Sequence, residues 1–221
     1  MIRRDFIRLG AASAALGALG GAARAADAPL VLVVGDSLSA EYGIARGSGW
    51  VALLERRLAE QKITARVLNA SISGDTTAGG RARLPALLRT YQPAVVVIEL
   101  GSNDALRGLS LDMTEANLTA MTQAAQKAGA RVLLAGMQMP PNYGADYGKR
   151  FFNLYPQVAK AEGAALVPFF LAGVADRPDA LALFQPDRIH PTAQAHPQIL
   201  DNMWPELRRL LAAAATHTPA K

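Results

Sequence analysis

Short apolar runs rich in β-branched residues alternate along this chain with longer segments of helical period. The clearest run is residues 94–100, Ala-Val-Val-Val-Ile-Glu-Leu, and residues 30–34 form a second continuous run. Apolar runs without polar alternation are typical of parallel strands that are buried on both faces and joined by crossover helices. The alternation therefore predicts the α/β class with a parallel sheet.

Five candidate strands are separated by helical patterns in a single domain. The three further strands are residues 65–69, 131–135 and 165–167, and the predicted helices are residues 50–60, 83–91, about 113–127, about 149–162 and about 192–213. Pro85 is expected near the first turn of its helix, and Pro197 and Pro205 are expected to kink or interrupt the last helix. The pattern fits a flavodoxin-like doubly wound sheet, whose sites form outside the carboxyl ends of the strands.

Residues 1–25 have the pattern of an export signal. Arg3 and Arg4 form a twin-arginine pair, followed by an apolar run of Ala, Gly and Leu and a small-residue site. We predict a Tat-type signal that the Tat export machinery reads and that is cleaved after Ala25, leaving residues 26–221 periplasmic or secreted. A membrane anchor is disfavoured because the run is weakly apolar and shorter than the roughly 20 residues that span a bilayer. We expect no stable membrane insertion of the mature form.

Most of the formal charge of +5 belongs to this signal, which holds four arginines and one aspartate. The remaining chain has 19 basic and 17 acidic residues and contains no Lys or Arg run with interleaved aromatic residues. It therefore predicts no nucleic-acid partner. Because the chain has no cysteine, a disulfide, a thiolate nucleophile and a zinc–thiolate site are excluded.

Four short polar motifs fall in loops at or near the predicted carboxyl edge of the sheet. They are Gly35-Asp36-Ser37-Leu38-Ser39, Ser73-Gly74-Asp75-Thr76, Gly101-Ser102-Asn103-Asp104 and Asp187-Arg188-Ile189-His190. Each has a structural alternative, since Ser favours helix caps and Gly, Asn and Asp favour turns. Asp36 and Asp104 are either buried anchors of their loops or ordinary turn residues, and neither is assigned to the chemistry.

Three of these residues have the chemistry of a nucleophilic triad. A serine hydroxyl such as Ser37 needs a base to take its proton, and His190 carries an imidazole, the side-chain group most often used as a general base. Asp187, three residues before His190, can reach the second ring nitrogen and fix the tautomer. A triad is recognised by geometry, so the residues alone leave the structural alternatives open.

Taken together and in this order, the four motifs resemble those of the GDSL or SGNH hydrolases, and within them the periplasmic arylesterase, thioesterase and lysophospholipase types. The resemblance spans residues 30 to about 210 and includes Gly-Asp-Ser-Leu-Ser-Ala, Ser-Ile-Ser-Gly-Asp-Thr, Glu-Leu-Gly-Ser-Asn-Asp-Ala-Leu-Arg-Gly and Ile-His-Pro. It implies a three-layer α/β/α fold with a five-stranded parallel sheet. It also implies Ser37 as nucleophile, Asp187 and His190 as the other triad members, and neither a metal nor an organic cofactor.

The same resemblance implies an oxyanion hole formed by the backbone N–H groups of Ser37 and Gly74 and the side-chain amide of Asn103. Close relatives commonly carry Gly-Gly-Asn-Asp where this chain has Ser102, so a hydroxyl enters beside the hole. Residues 137–144 resemble the family segment that borders the acyl site. The candidates there for binding a hydrocarbon chain are Met139, Pro141, Asn142 and Tyr143, with simple loop packing as the alternative.

The predicted function is hydrolysis of a small-molecule acyl ester or thioester through an acyl-serine intermediate. A carbohydrate O-deacetylase of the same fold is the nearest alternative, disfavoured because Trp50 and Trp204 are expected in the core and not on a sugar platform. The lipase-type nucleophile elbow, G-x-S-x-G, is also disfavoured, because the motif around Ser37 has a serine where that elbow has its second glycine. A non-catalytic small-molecule-binding α/β module is the alternative from another class, although no glycine-rich phosphate motif occurs. The sequence makes no prediction of oligomeric state.

Overall fold

A five-stranded parallel sheet with the strand order β2-β1-β3-β4-β5 forms the centre of the computed structural model, which describes residues 28–215. The strands are β1 Leu30–Gly35, β2 Arg66–Asn69, β3 Val95–Glu99, β4 Arg131–Ala135 and β5 Ala165–Val167. The predicted α/β class and five parallel strands are confirmed. The predicted signal and its cleavage site lie outside the described residues.

Every residue of β1 and β3 is buried, as the continuous apolar runs predict for central strands. The chain runs from β1 to β2 on one side and then returns to β3 on the other side of β1. This reversal of strand order makes a crevice at the carboxyl ends of β1 and β3, where doubly wound proteins bind their ligands.

Within residues 28–215, six α-helices accompany the sheet, in two groups that both contact its strands. Their bounds are α1 Trp50–Glu60, α2 Thr77–Tyr91, α3 Ser102–Leu106, α4 Leu111–Lys127, α5 Ala145–Glu162 and α6 His196–Ala215. One group consists of α1 packed against α6, and the other of α2, α4 and α5. The arrangement is the expected three-layer architecture.

One of the predictions about proline is wrong. Helix α2 begins at Thr77, whose preceding residue Thr76 caps the first turn, so Pro85 lies in the middle of the helix and not near its start. Glycines at the start of α2 conceal its helical pattern, and one of them, Gly80, lets Leu100 approach to 2.3 Å from where a Cβ would lie. Helix α6 begins at His196, directly before Pro197, and continues past Pro205 without interruption, while the predicted kink stays a prediction.

The core helix α1 starts at a residue that is bonded to α6, its neighbour in the same helical layer. Trp50 is fully buried, and its backbone N–H donates to Nδ1 of His196 at 3.0 Å. The residue before it, Gly49, has no side chain with which to cap the helix. His196, the first residue of α6, therefore satisfies one of the free N–H groups at the start of α1.

His196 is also a pH-dependent element of stability. Burial, opposed only by the nearby charge of Glu41, lowers its pKa from 6.5 to about 4. Between these values the unfolded chain binds more protons at this residue than the folded chain does. The free energy of unfolding therefore falls as the pH drops through this window and is fully kept above it.

We predict that His196→Asn, which retains an acceptor for the Trp50 N–H, loses less stability on acidification than the wild type. Thermal unfolding followed by circular dichroism at about pH 7 and about pH 4.5 measures this difference. Other titrating groups are common to both proteins, so they cancel in the comparison. Equal decreases in Tm for the two proteins would contradict a neutral, buried His196.

Candidate active site

All four polar motifs meet at the carboxyl edge of the sheet, as their positions after the strands predict. Ser37 lies in the turn that follows β1, Gly74 in the loop after β2, and Asn103 in α3 directly after β3. Asp187 and His190 lie in the long loop before α6. The sheet therefore brings together residues that are as many as 153 positions apart in sequence.

Ser37, His190 and Asp187 form a continuous hydrogen-bonded relay. The Ser37 Oγ lies 2.8 Å from Nε2 of His190, and the other ring nitrogen, Nδ1, lies 2.7 Å from Oδ2 of Asp187. Both distances are those of good hydrogen bonds. The geometry is that of a nucleophile, a base and a residue that orients the base.

The carboxylate of Asp187 is held in its ionised form. Partial burial acts to raise its pKa, but hydrogen bonds from the backbone and ring of His190 and from the Ile189 N–H outweigh this and lower the pKa to about 2. An ionised carboxylate only accepts, so His190 carries its proton on Nδ1. Nε2 is then free to accept the proton of Ser37.

Gly74 and Asn103 are placed on either side of the nucleophile turn. Gly74 has φ +79°, a conformation that favours glycine, and the turn around it is closed by a bond from the Asp75 N–H to the Ile72 carbonyl. The Gly74 carbonyl accepts from Arg107 at 2.7 Å. The Asn103 amide donates to Asp36, the residue before the nucleophile, at 2.9 Å.

Residues 33–197 match the GDSL-like Lipase/Acylhydrolase family. The chain belongs to this family. Membership confirms the prediction, made from the four motifs, that the chain is an ester-bond hydrolase.

Named relatives of this GDSL-family chain are similar over most of its length. It is 53% identical over 186 residues to "Esterase TesA" of Pseudomonas aeruginosa, covering 84% of this chain and 91% of the relative. It is 43% identical over 188 residues to "Thioesterase 1/protease 1/lysophospholipase L1" of Escherichia coli K12, covering 85% and 88%. Among solved structures, the psychrotrophic esterase EstA of Pseudoalteromonas sp., inhibited by monoethylphosphonate, superimposes with a TM-score of 0.77 at 39% identity, covering 83% and 98%.

Two contacts in the GDSL-family site were not predicted from the sequence. The Tyr42 ring lies against the His190 ring, with 4.3 Å between ring centroids and 40° between planes. Gln185 donates from its side chain to the carbonyls of Tyr42 and Pro191, and from its backbone to that of His190. These contacts join the nucleophile segment to the histidine loop, but no short sequence motif marks them, because the partners are distant in the chain.

The loop proposed to hold the acyl chain has a mixed environment. Met139 is half-buried against the core, while Asn142 and Tyr143 are exposed in the short 3-10 turn Pro141–Tyr143. Within residues 28–215, no hydrogen bond or ring contact joins Met139, Asn142 or Tyr143 to the triad. Their role in substrate binding therefore stays a prediction.

The remaining residues singled out from the sequence have defined surroundings. Asp36 and Asp104 are both buried, which confirms the anchor interpretation over that of ordinary turn residues. The Ser102 hydroxyl is buried and has no hydrogen-bond partner among the described residues. In the same part of the chain, no group of three His, Cys, Asp or Glu side chains is arranged to hold a metal ion.

We predict that Asp187→Asn lowers kcat for an activated ester by about 10⁴-fold while the protein stays folded. The asparagine oxygen still accepts the two backbone N–H groups. Its amide then faces Nδ1 of His190, so the ring proton moves to Nε2 and the base is blocked. Steady-state kinetics with circular dichroism measure both effects.

The matched control for this prediction is Asp201→Asn on α6. Asp201 is an exposed carboxylate whose ion-pair partner is Arg57, away from the triad. We expect its kcat to equal that of the wild type. If Asp187→Asn kept more than about a tenth of the wild-type kcat, the carboxylate would not orient the base.

Proposed function

We propose that this chain hydrolyses acyl esters or thioesters through an acyl intermediate on Ser37. The observation that carries the proposal is the continuous relay from Ser37 through His190 to Asp187. Such a relay can make a serine hydroxyl nucleophilic at neutral pH. It also argues against a non-catalytic binding module, because binding alone does not require a base that is hydrogen-bonded to a serine hydroxyl.

In the first half-reaction, Ser37 Oγ attacks the acyl carbon while Nε2 of His190 takes the hydroxyl proton. The tetrahedral intermediate collapses, and the imidazolium gives this proton to the departing alkoxide or thiolate. In the second half-reaction, His190 deprotonates a water that attacks the acyl-serine, then returns the proton to Ser37. Water is the only co-reactant, and the products are a carboxylic acid and an alcohol or thiol.

In our proposal, three hydrogen-bond donors stabilise the negative charge that develops on the acyl oxygen. They are the backbone N–H groups of Ser37 and Gly74 and the side-chain amide of Asn103. Preorganised donors are effective because they do not reorient as the charge forms. Support comes from the fixed turn around Gly74 and from the short helix that holds Asn103 beside the nucleophile turn.

An apolar acyl chain is the substrate feature that the surface favours. Three exposed hydrophobic side chains lie close in sequence to the proposed catalytic residues: Tyr42, Ile72 and Ile189. Relatives named as an esterase and as a thioesterase and lysophospholipase point the same way. A sugar platform for a deacetylase is less favoured, because Trp50 is fully buried and Trp204 packs against the core beneath Arg57.

We further propose that residues 1–25 are a Tat signal and that residues 26–221 act in the periplasm or outside the cell. The twin-arginine pair and the small-residue site after the apolar run support this. Among residues 28–215, no helix has the length and hydropathy needed to cross a bilayer.

The experiment that tests the proposed function is hydrolysis of p-nitrophenyl esters from acetate to palmitate by the mature protein, with Ser37→Ala alongside. We expect an optimum at medium or long acyl chains, since exposed apolar side chains lie close in sequence to the proposed site residues. This activity should be lost in the variant. Activity confined to acetate would favour the deacetylase. Activity that survives in Ser37→Ala would contradict the acyl-serine route.

We predict that Asn103→Ala lowers kcat by roughly 100-fold to 1000-fold, the usual effect of removing one oxyanion donor. KM should change little, because the donor acts mainly in the transition state. Steady-state kinetics on the preferred ester measure this. A decrease below about tenfold would remove Asn103 from the oxyanion hole.

A further inference from the structure

We propose that Asp36 is a positioning residue, whose carboxylate orients the Asn103 amide toward the acyl oxygen in the transition state. This inference deepens the proposed function and rests on Asn103 being an oxyanion donor. Asp36 directly precedes the nucleophile and is fully buried. It does not touch the substrate in this proposal, because it acts through Asn103.

The geometry gives Asp36 two bonds that together fix its carboxylate. Oδ1 accepts the backbone N–H of Leu38 at 3.0 Å, and Oδ2 accepts Nδ2 of Asn103 at 2.9 Å. The first bond ties the carboxylate to the nucleophile turn itself. The second therefore sets Asn103 against the same turn that carries the Ser37 hydroxyl and N–H.

A carboxylate partner determines whether the oxygen or the nitrogen of an asparagine amide faces it. The terminal torsion of asparagine is broad and roughly two-fold, so its oxygen and nitrogen exchange places easily unless a partner distinguishes them. An ionised carboxylate only accepts, and it therefore selects the nitrogen. One N–H of Asn103 is used by Asp36, and the second remains for the acyl oxygen.

No other polar group in the described chain holds this amide. The only hydrogen bond of the Asn103 side chain there is the one to Asp36, and the neighbouring Ser102 hydroxyl has no partner. Asn103 lies near the start of α3, which has only five residues, so the helix itself gives the side chain little restraint. Its orientation depends on Asp36.

The backbone of Asp36 is bonded to the last residue of β3. Its N–H donates to Oε2 of Glu99 at 3.3 Å, and the same oxygen accepts from the Ser39 hydroxyl at 2.7 Å. Trp50 donates to that hydroxyl at 3.0 Å. These buried hydrogen bonds fix the start of the nucleophile turn, so the side chains that leave it have little freedom to move.

The charge state of the site agrees with an accepting Asp36 at neutral pH. Burial, with a small contribution from the Asp75 charge, raises the pKa of Asp36 to about 6. The bonds from the Leu38 N–H and the Asn103 amide and the charge of His190 act in the opposite direction and lower this pKa. Burial and the Asp36 charge raise the pKa of Glu99 well above its ordinary value. The pair therefore carries its negative charge on Asp36 above about pH 6.

A double-mutant cycle in kcat tests the proposal with the mature enzyme and its preferred p-nitrophenyl ester. The variants are Asp36→Asn, Asn103→Ala and the two combined. Alone, Asp36→Asn should lower kcat about tenfold to hundredfold with KM within about threefold. In the Asn103→Ala background, Asp36→Asn should change kcat less than about threefold, because the amide that Asp36 positions is gone.

A merely structural role would give a different result. Asp36→Asn would then lower Tm in both backgrounds and reduce kcat per active site by the same factor in each, which would overturn the inference. An increase in kcat would also overturn it. If Asn103→Ala alone left kcat intact, the oxyanion role would fail first, so the two failures are distinguishable.

Two further variants protect the test from loss of folding. Asp36→Ser, smaller and still able to accept from Leu38, replaces Asp36→Asn if that variant does not fold, with the same expected coupling. Thr114→Val removes a fully buried hydroxyl of α4 that bonds the Asp104 carboxylate and the Ser110 carbonyl, and not Asn103 or Asp36. It should lower Tm without coupling to Asn103→Ala, whereas equal coupling from it would contradict a specific role for Asp36.

Discussion

The parallel pairing of β1 with β3 is the constraint on which the whole site depends. Its register places Gly35 opposite Glu99, so the two central strands end at the same level of the sheet. The chain leaves one strand as the nucleophile turn and the other as the start of α3. A bond between Asn103 and Asp36, 67 positions apart in sequence, follows from that common level.

The central strands were predictable from the sequence because they depend on local signals, whereas the grouping of Ser37, His190 and Asp187 was predicted from four short motifs together with the family resemblance. A continuous apolar run marks a strand buried on both faces, and each site residue follows a strand or belongs to a short motif. The start of α2 was not predictable, because Gly80 is there for the close approach of Leu100 and not for helix propensity. The short helix α3 was missed for a related reason, since five residues carry too little periodicity to be recognised.

The buried contacts beneath the nucleophile turn could not be predicted from the sequence. Glu99 looks in the sequence like an acidic interruption of a strand, yet it is fully buried beneath the nucleophile turn. The position before that turn must be glycine, because a Cβ on Gly35 would lie 2.7 Å from Oε2 of Glu99. The burial of two carboxyl groups is unfavourable by itself, and hydrogen bonds from the turn, Ser39 and Asn103 offset it.

The histidine loop is attached to the domain in a different way from the nucleophile turn. Its isolated antiparallel bridge, Phe184 with Pro191, lies within the loop itself. Among the described residues, the loop is joined to the nucleophile segment by the bond from the Gln185 side chain to the Tyr42 carbonyl, the Ser37–His190 bond and the ring contact of Tyr42 with His190. Segments held by few and exposed bonds open at a lower free energy than the sheet does. We therefore expect warming or mild denaturant to separate the histidine loop from the nucleophile turn before the core unfolds. Activity would then be lost at a lower temperature than the fold.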